Sequence, residues 1–115
     1  MRVHDEAYVS DVRDCIVRTT EGKLTKYDRD TFVSPESWRS ALLAAGAVVD
    51  AVDEVVERDD FKRAFCVVRP PGHHAGVMGA VGAPSGGAKT NGFCIFNNIA
   101  VGAAYALNVH RKKIK

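Results

Sequence analysis

Residues 69 to 92 hold seven of the ten glycines and three of the four prolines in a chain of 115 residues. Such a segment sustains neither helix nor strand: proline lacks an N–H to donate, and glycine loses the most backbone entropy when ordered. It must be loop. It is long for a connection inside one domain, and loops of that length are functional or disordered. The remaining residues must therefore supply the core. Apolar residues make up 46% and charged residues 26%, ordinary globular values that exclude wholesale disorder. The length suits one domain and not two. Sixteen Lys and Arg against fourteen Asp and Glu leave +2, which neither demands nor excludes nucleic acid. No apolar run approaches the ~18 residues that span a bilayer. The first residues, Met1 to Asp11, carry acids where a secretory signal needs an apolar stretch. Cys15, Cys66 and Cys94 are odd in number and widely spaced. They predict reduced, partly buried thiols of an intracellular protein and neither a disulfide framework nor a cysteine zinc site.

Apolar positions at Ala7, Tyr8, Val12, Cys15 and Ile16 predict an amphipathic helix over 5–18. Residues 19 to 33 are polar, without period, and read as a loop. Ser34 as N-cap, Pro35 at the first helical position and Glu36 at the positive end of the dipole predict a helix of about six turns. Its stripe runs through Trp38, Ala41, Leu42, Ala45, Val48, Val49, Val52, Val55 and Val56. Arg39, Asp50, Asp53, Glu54 and Glu57 lie away from the stripe, and Arg58-Asp59-Asp60 end the helix. Ala44, Ala45 and Gly46 permit close packing. Ala64-Phe65-Cys66-Val67-Val68 is apolar on both faces and predicts a buried, parallel strand. With a helix before it and an Ala-rich helix near 98–109 after it, the order fits an α/β layer. The tail, His110 to Lys115, reads as a solvated basic helix end.

His73-His74 follows that strand in a stiff Pro-Pro-Gly turn. In α/β sheets ligands bind beyond the carboxyl ends of strands. Imidazole is the side chain suited to proton transfer near neutral pH. Adjacent side chains of an extended segment point apart, so the pair alone is a poor metal chelate. His4 and His110 lie on other elements. The stretch from Gly82 to Thr90 imitates a phosphate-binding loop, but Ala88 separates Gly87 from Lys89 and no strand leads in, so a nucleotide site is rejected. Arg111, Lys112 and Lys113 give too small a footprint for nucleic acid. The aromatics do not interleave with basic residues as single-strand binding requires.

Val67-Val68-Arg69-Pro70-Pro71-Gly72-His73-His74-Ala75, followed by Gly92-Phe93-Cys94-Ile95-Phe96-Asn97-Asn98, closely resembles the zinc-dependent histone deacetylase family, in particular its class II-like branches. Val3 to Val9, and Asp30 through Ala47, resemble the segments that precede the histidine pair there, so nearly the whole chain takes part. The resemblance implies an α/β fold of the arginase–deacetylase type, a parallel sheet flanked by helices. It implies that residues 1–115 are the N-terminal part of the catalytic domain. The implied reaction is hydrolysis of N-acetyl-lysine amides in histones or other proteins. His74 would be general base and then general acid, and His73 would orient the water. Phe93 would line the acyl-lysine channel. Gly92 would offer its carbonyl to the substrate amide. Asp30 would be the rim acid gripping the substrate backbone, with Asp28 as the competing choice. Cys94 and Asn97 would be structural.

The family's Zn2+ ligands lie on a following D-x-H strand and a later Asp, and its transition-state tyrosine lies later still. None is present before Lys115, so this polypeptide alone is expected neither to hold catalytic zinc nor to deacetylate. The loop between His74 and Gly92 is longer than in most members. Two further readings stay open: an amidohydrolase of the same fold acting on acetylated polyamines, and an inactive truncated product. The resemblance also implies co-repressor assemblies as partners, a nuclear or cytoplasmic setting, no direct nucleic-acid binding and no membrane.

Overall fold

In the computed structural model, which describes residues 2–58, 60, 62–81 and 88–114, helix α1 (Glu6–Val17) begins where Asp5 accepts the Ala7 N–H at 2.8 Å. A short acidic side chain is a strong N-cap. Tyr8, Val12 and Ile16 are its buried residues, one turn apart on a single face. They form the core with Tyr27, Val33, Ala41, Ile95 and Phe96. Tyr8 reaches through that core to donate its hydroxyl to Ile95 O at 2.7 Å.

Residues 19 to 33 are not all loop. Strand β1 (Thr25–Lys26) pairs antiparallel with β2 (Phe32–Val33), Thr25 opposite Val33 and Lys26 opposite Phe32. Strands of two residues are too short for an alternation to be read in the sequence. Helix α2 (Ser37–Glu57) starts later than expected. Ser34 is not its side-chain cap: Ser37 Oγ accepts the Ser34 N–H at 2.9 Å, and Ser37 N donates to Ser34 O at 3.0 Å. Pro35 and Glu36 thus occupy a tight turn before the helix. Asp59 of the predicted helix end lies outside the described residues.

Helix α3 (Asn98–Val109) is capped by Asn97, whose Oδ1 accepts the Ala100 N–H at 3.0 Å. It packs on α2, and a Cβ at Gly102 would lie 2.5 Å from Val48 Cγ1. Asp53 corrects the expected solvent face of α2. It accepts the Tyr105 hydroxyl at 3.0 Å and pairs with His110 Nε2 at 2.6 Å. The His110 bond, with the Tyr105 hydroxyl as a second donor, holds the Asp53 carboxyl below its ordinary value against the opposing effect of desolvation. His110 itself is buried, so the tail is solvated only from Arg111 onward; Lys115 lies outside the described residues.

The predicted buried strand is the main difference. Residues 63 to 68 have no strand partner among the described residues. Phe65 and Val67 are 90% and 88% exposed, whereas Cys66 and Val68 are half-buried toward the helices. Cys66 directs its thiol at Ala47 O, 3.6 Å away. A parallel strand is apolar on both faces because it is covered on both; here helices cover one face alone. That face lines an apolar cavity of about 680 Å³ with Val52, Val56 and Ile99. No helix among the described residues is long and apolar enough to cross a membrane.

Ile16 is 2% exposed on the buried face of α1, near its C-terminal end. Ile16→Ala is expected to lower the unfolding free energy by about 2–5 kcal/mol, read from the midpoint of urea unfolding at constant slope.

Candidate active site: tandem histidines against a glycine–phenylalanine turn

The two sequence motifs interlock through their backbones. A Cβ at Gly72 would overlap Phe96 O and lie 2.6 Å from Asn98 N, so glycine alone lets the chains cross. Asn98 Nδ2 donates to Pro70 O at 3.1 Å, and Asn97 Nδ2 donates to Ala75 O at 2.8 Å. One asparagine thus grips each end of Pro70–Ala75. Ala75 N donates to Gly72 O at 3.0 Å, closing the histidine turn. The fully buried Cys94 accepts the His74 N–H at 3.4 Å.

His73 and His74 project from this braced turn, both exposed, with ring centroids 4.3 Å apart and planes 57° apart. His4, set aside on sequence grounds, supports them from below. Its Nε2 accepts the Asn97 N–H at 2.9 Å, and its ring sits against Tyr8 and Phe96. The only sequence signal for it is its place in the Val3–Val9 segment.

Gly92 has φ +56° and Phe93 has φ +63°. The left-handed region suits glycine but costs a phenylalanine of order 1–3 kcal/mol, a strain found mostly at functional sites. A Cβ on Gly92 would stand 3.0 Å from His74 Cδ2, so the imidazole lies directly over the glycine. The positive φ turns the half-exposed Phe93 ring outward. There it lines a cavity of about 400 Å³ with Asp30, Ser40, Arg69, Pro70 and Ile95. Phe93 and Asp30 therefore share one cavity and His74 abuts Gly92, whereas His73 faces the larger apolar cavity beside Asn98 and Ile99.

The structure also separates the two candidate rim acids. Asp30 is exposed. Asp28 is buried and fully engaged: Oδ1 accepts Thr31 N at 2.9 Å and Asp30 N at 3.2 Å, and Oδ2 accepts Lys89 N, Thr90 N and Thr90 Oγ1 at 2.7–2.9 Å. Burial pushes its carboxyl up, but the Thr90 hydroxyl and the backbone N–H donors outweigh burial and hold it well below the ordinary carboxylate range. Residues 82 to 87 of the rejected phosphate-loop look-alike lie outside the described residues. Lys89 and Thr90, which follow, belong to the Asp28 cluster.

Among the described residues no three His, Cys, Asp or Glu side chains converge as a metal site. Zinc needs three or four such donors. The two adjacent imidazoles do not make that set, and the Cys94 thiol is committed to the His74 N–H and Gly92 O.

A helix-flanked extended segment that ends in tandem histidines, with an asparagine pair bracing them, defines a recognisable class. The histidine turn and the Gly92–Phe93 turn lie within a match to the histone deacetylase domain model over residues 1–115, and the chain belongs to that family. The fold is a partial α/β fold of the arginase–deacetylase type: it superposes on the crystal structure of the HDA15 HD domain with a TM-score of 0.71 and 33% identity, covering 92% of this chain and 26% of that one. Type-2 histone deacetylase 2 of Dictyostelium discoideum is 51% identical over 77 residues, 67% of this chain and 4% of that protein. Polyamine deacetylase HDAC10 of Danio rerio is 34% identical over 105 residues, 90% of this chain and 14% of that protein. The chain thus spans a small part of the relatives it matches.

Gly72→Ala is expected to destabilise the chain by about 1–3 kcal/mol or more. The amide resonances of His73, His74, Asn97 and Asn98 should move together in its NMR spectrum, because one backbone crossing holds all four.

Proposed function

We propose that the chain is the portion of a lysine deacetylase that carries the proton-transferring histidines and one wall of the acyl-lysine channel. The observation that carries this reading is His74 held over the Gly92–Phe93 turn by the Gly72 crossing and the Asn97–Asn98 braces. Amide hydrolysis at neutral pH needs a proton taken from water and a proton given to the departing amine. An exposed imidazole fixed at its backbone can do both in turn. His74 fits this role, and His73 fits that of orienting the water. Phe93 offers a flat apolar wall to the four methylenes of an acyl-lysine. The Gly92 carbonyl suits the substrate N–H.

Zn2+ belongs to the family reaction, and the described residues supply no ligand set for it. The polypeptide by itself is therefore expected to take up no stoichiometric zinc and to show no turnover. Stoichiometric zinc by elemental analysis, together with turnover of an acetyl-lysine peptide, would overturn that expectation.

Peptide substrates are favoured over acetylpolyamines by the cavity beside Phe93. Asp30 is the one acid among the described residues lining it, and Arg69 lines it too. A single carboxylate can grip backbone N–H groups, whereas a polycation calls for several acids and no guanidinium. Similarity to a polyamine deacetylase keeps the second substrate class in the test. The family resemblance supports acetylated histone tails or other acetyl-lysine proteins as substrates. It likewise supports co-repressor complexes as partners in the nucleus or cytoplasm, without direct nucleic-acid binding.

In a deacetylase domain that contains this chain, His74→Ala is expected to lower kcat by about 100-fold or more on an acetyl-lysine peptide. Asp30→Asn is expected to raise KM for the peptide and leave a single acetyl-lysine nearly unaffected. Unchanged turnover in His74→Ala would refute the proton-transfer role. Faster hydrolysis of acetylspermidine than of peptide would refute the substrate class.

A further inference from the structure

We infer that Asp28 is a positioning residue that fastens the turn carrying Asp30 to the segment leading into Gly92–Phe93, so that the two walls of the cavity keep one spacing. Asp30 and Phe93 sit on parts of the chain that pair through no strand among the described residues. One carboxylate bonds to both. One of its oxygens serves Asp30 N and Thr31 N, and the other serves Lys89 N, Thr90 N and Thr90 Oγ1.

Thr31 Oγ1 and Thr90 Oγ1, 2.6 Å apart, add a direct link between the same two segments. Both threonines and Asp28 are buried, at 3%, 2% and 7% exposure. Bonds to a shielded carboxylate are charge-assisted and stronger than neutral ones. The Thr90 side continues toward the channel: Cys94 N donates to Asn91 O at 3.1 Å, closing the turn that gives Gly92 and Phe93 their positive φ. The Asp30 side is the β1–β2 turn, where Tyr27 N donates to Thr31 O at 2.8 Å. A carboxylate that holds both turns sets how far the rim acid stands from the aromatic wall.

The titratable groups around Asp28 are few. Tyr8 on α1 has its hydroxyl pushed up by burial and by the Asp28 charge. Asp11, also on α1, is held below its ordinary value chiefly by the Lys89 ammonium, with Tyr27 as a second donor. Asp30 stands on the same turn. The Asp28 carboxyl is itself depressed in the folded chain, so its contribution is complete above the ordinary carboxylate value of 3.8. It is lost only as pH falls through the lower folded value.

The inference takes from the proposed function only the roles of Asp30 and Phe93 as channel walls. Amide exchange in the 115-residue chain reads the coupling without turnover, so a failed coupling and a failed deacetylase assay remain separate results. Asp28→Asn is expected to speed exchange at Thr31, Lys89 and Thr90 about tenfold or more. The increase should extend through Asn91 to Cys94, with the α2 and α3 amides still protected. Thr90→Val, which keeps the backbone donors, should give a smaller increase at the same amides. The wild-type chain should hold this protection at pH 3.8 and lose it below, and Asp28→Asn should lack that step. Unchanged exchange at Lys89 and Thr90 in Asp28→Asn would overturn the inference. Should Asp28→Asn unfold the whole chain, Thr90→Val decides: faster exchange confined to 28–31 and 88–94 supports the coupling, and no change there refutes it.

Discussion

The structure depends on one backbone crossing. Gly72 passes so close to Phe96 O and Asn98 N that no side chain fits between. The contact places the histidine turn on the N-terminus of α3. Everything near the site is then referred to one point: Asn98 holds Pro70 O, Asn97 holds Ala75 O, and His4 holds the Asn97 N–H. Each bond satisfies a backbone group that would cost about 1–3 kcal/mol if buried unpaired. The asparagines thus do the pairing work that a sheet would do elsewhere, in a region whose glycines and prolines forbid regular structure.

This bracing explains how a chain with little sheet keeps an ordered site. The core joins α1 to Ile95 and Phe96, directly behind the histidines, and the Tyr8 hydroxyl bond to Ile95 O passes through it. Phe96 meets both Tyr8 and Trp38 edge-on, at 6.5 and 5.7 Å, a favoured aromatic arrangement. The helix that follows the histidine loop and the helix at the start of the chain are therefore held by the same seven-residue motif. A substitution in α1 reaches the site through that packing.

The helices were legible in the sequence because their period and caps are local properties. Tyr8, Val12 and Ile16 mark α1, and the Ala-rich run near 98–109 marks α3. The Ser34 cap was misplaced because a serine three residues later competes for the same turn, and no local rule ranks the two. Ala64–Val68 was legible as extended chain and illegible as to its partners, since apolar character on both faces records what a strand tolerates and not what covers it. Motif resemblance is what singles out Phe93, Gly92 and Asp30 and gives the histidines their roles. Physical reasoning alone reached the histidine pair and stopped there. The positive φ of Phe93 and the reach of Asp28 across 62 residues to Thr90 are tertiary facts with no local signature.

Asp28 and Asp30 show how position sorts identical chemistry. Two residues apart in one turn, one carboxylate takes every nearby N–H donor and the other takes none of those donors and faces the cavity. A saturated carboxylate has no lone pair left for a substrate, whereas an exposed one keeps its capacity to accept. The saturated acid is the reason the exposed one has a fixed place: it orders the Asp30 N–H and, from its other oxygen, the approach to Phe93. A binding site built on loops must fix its spacing by such internal bonds, because no strand or helix fixes it. The long glycine-rich segment is compatible with a fixed cavity wall at Phe93 for that reason. Its glycine-rich composition is offset where it returns to Asp28, just before the Gly92–Phe93 turn.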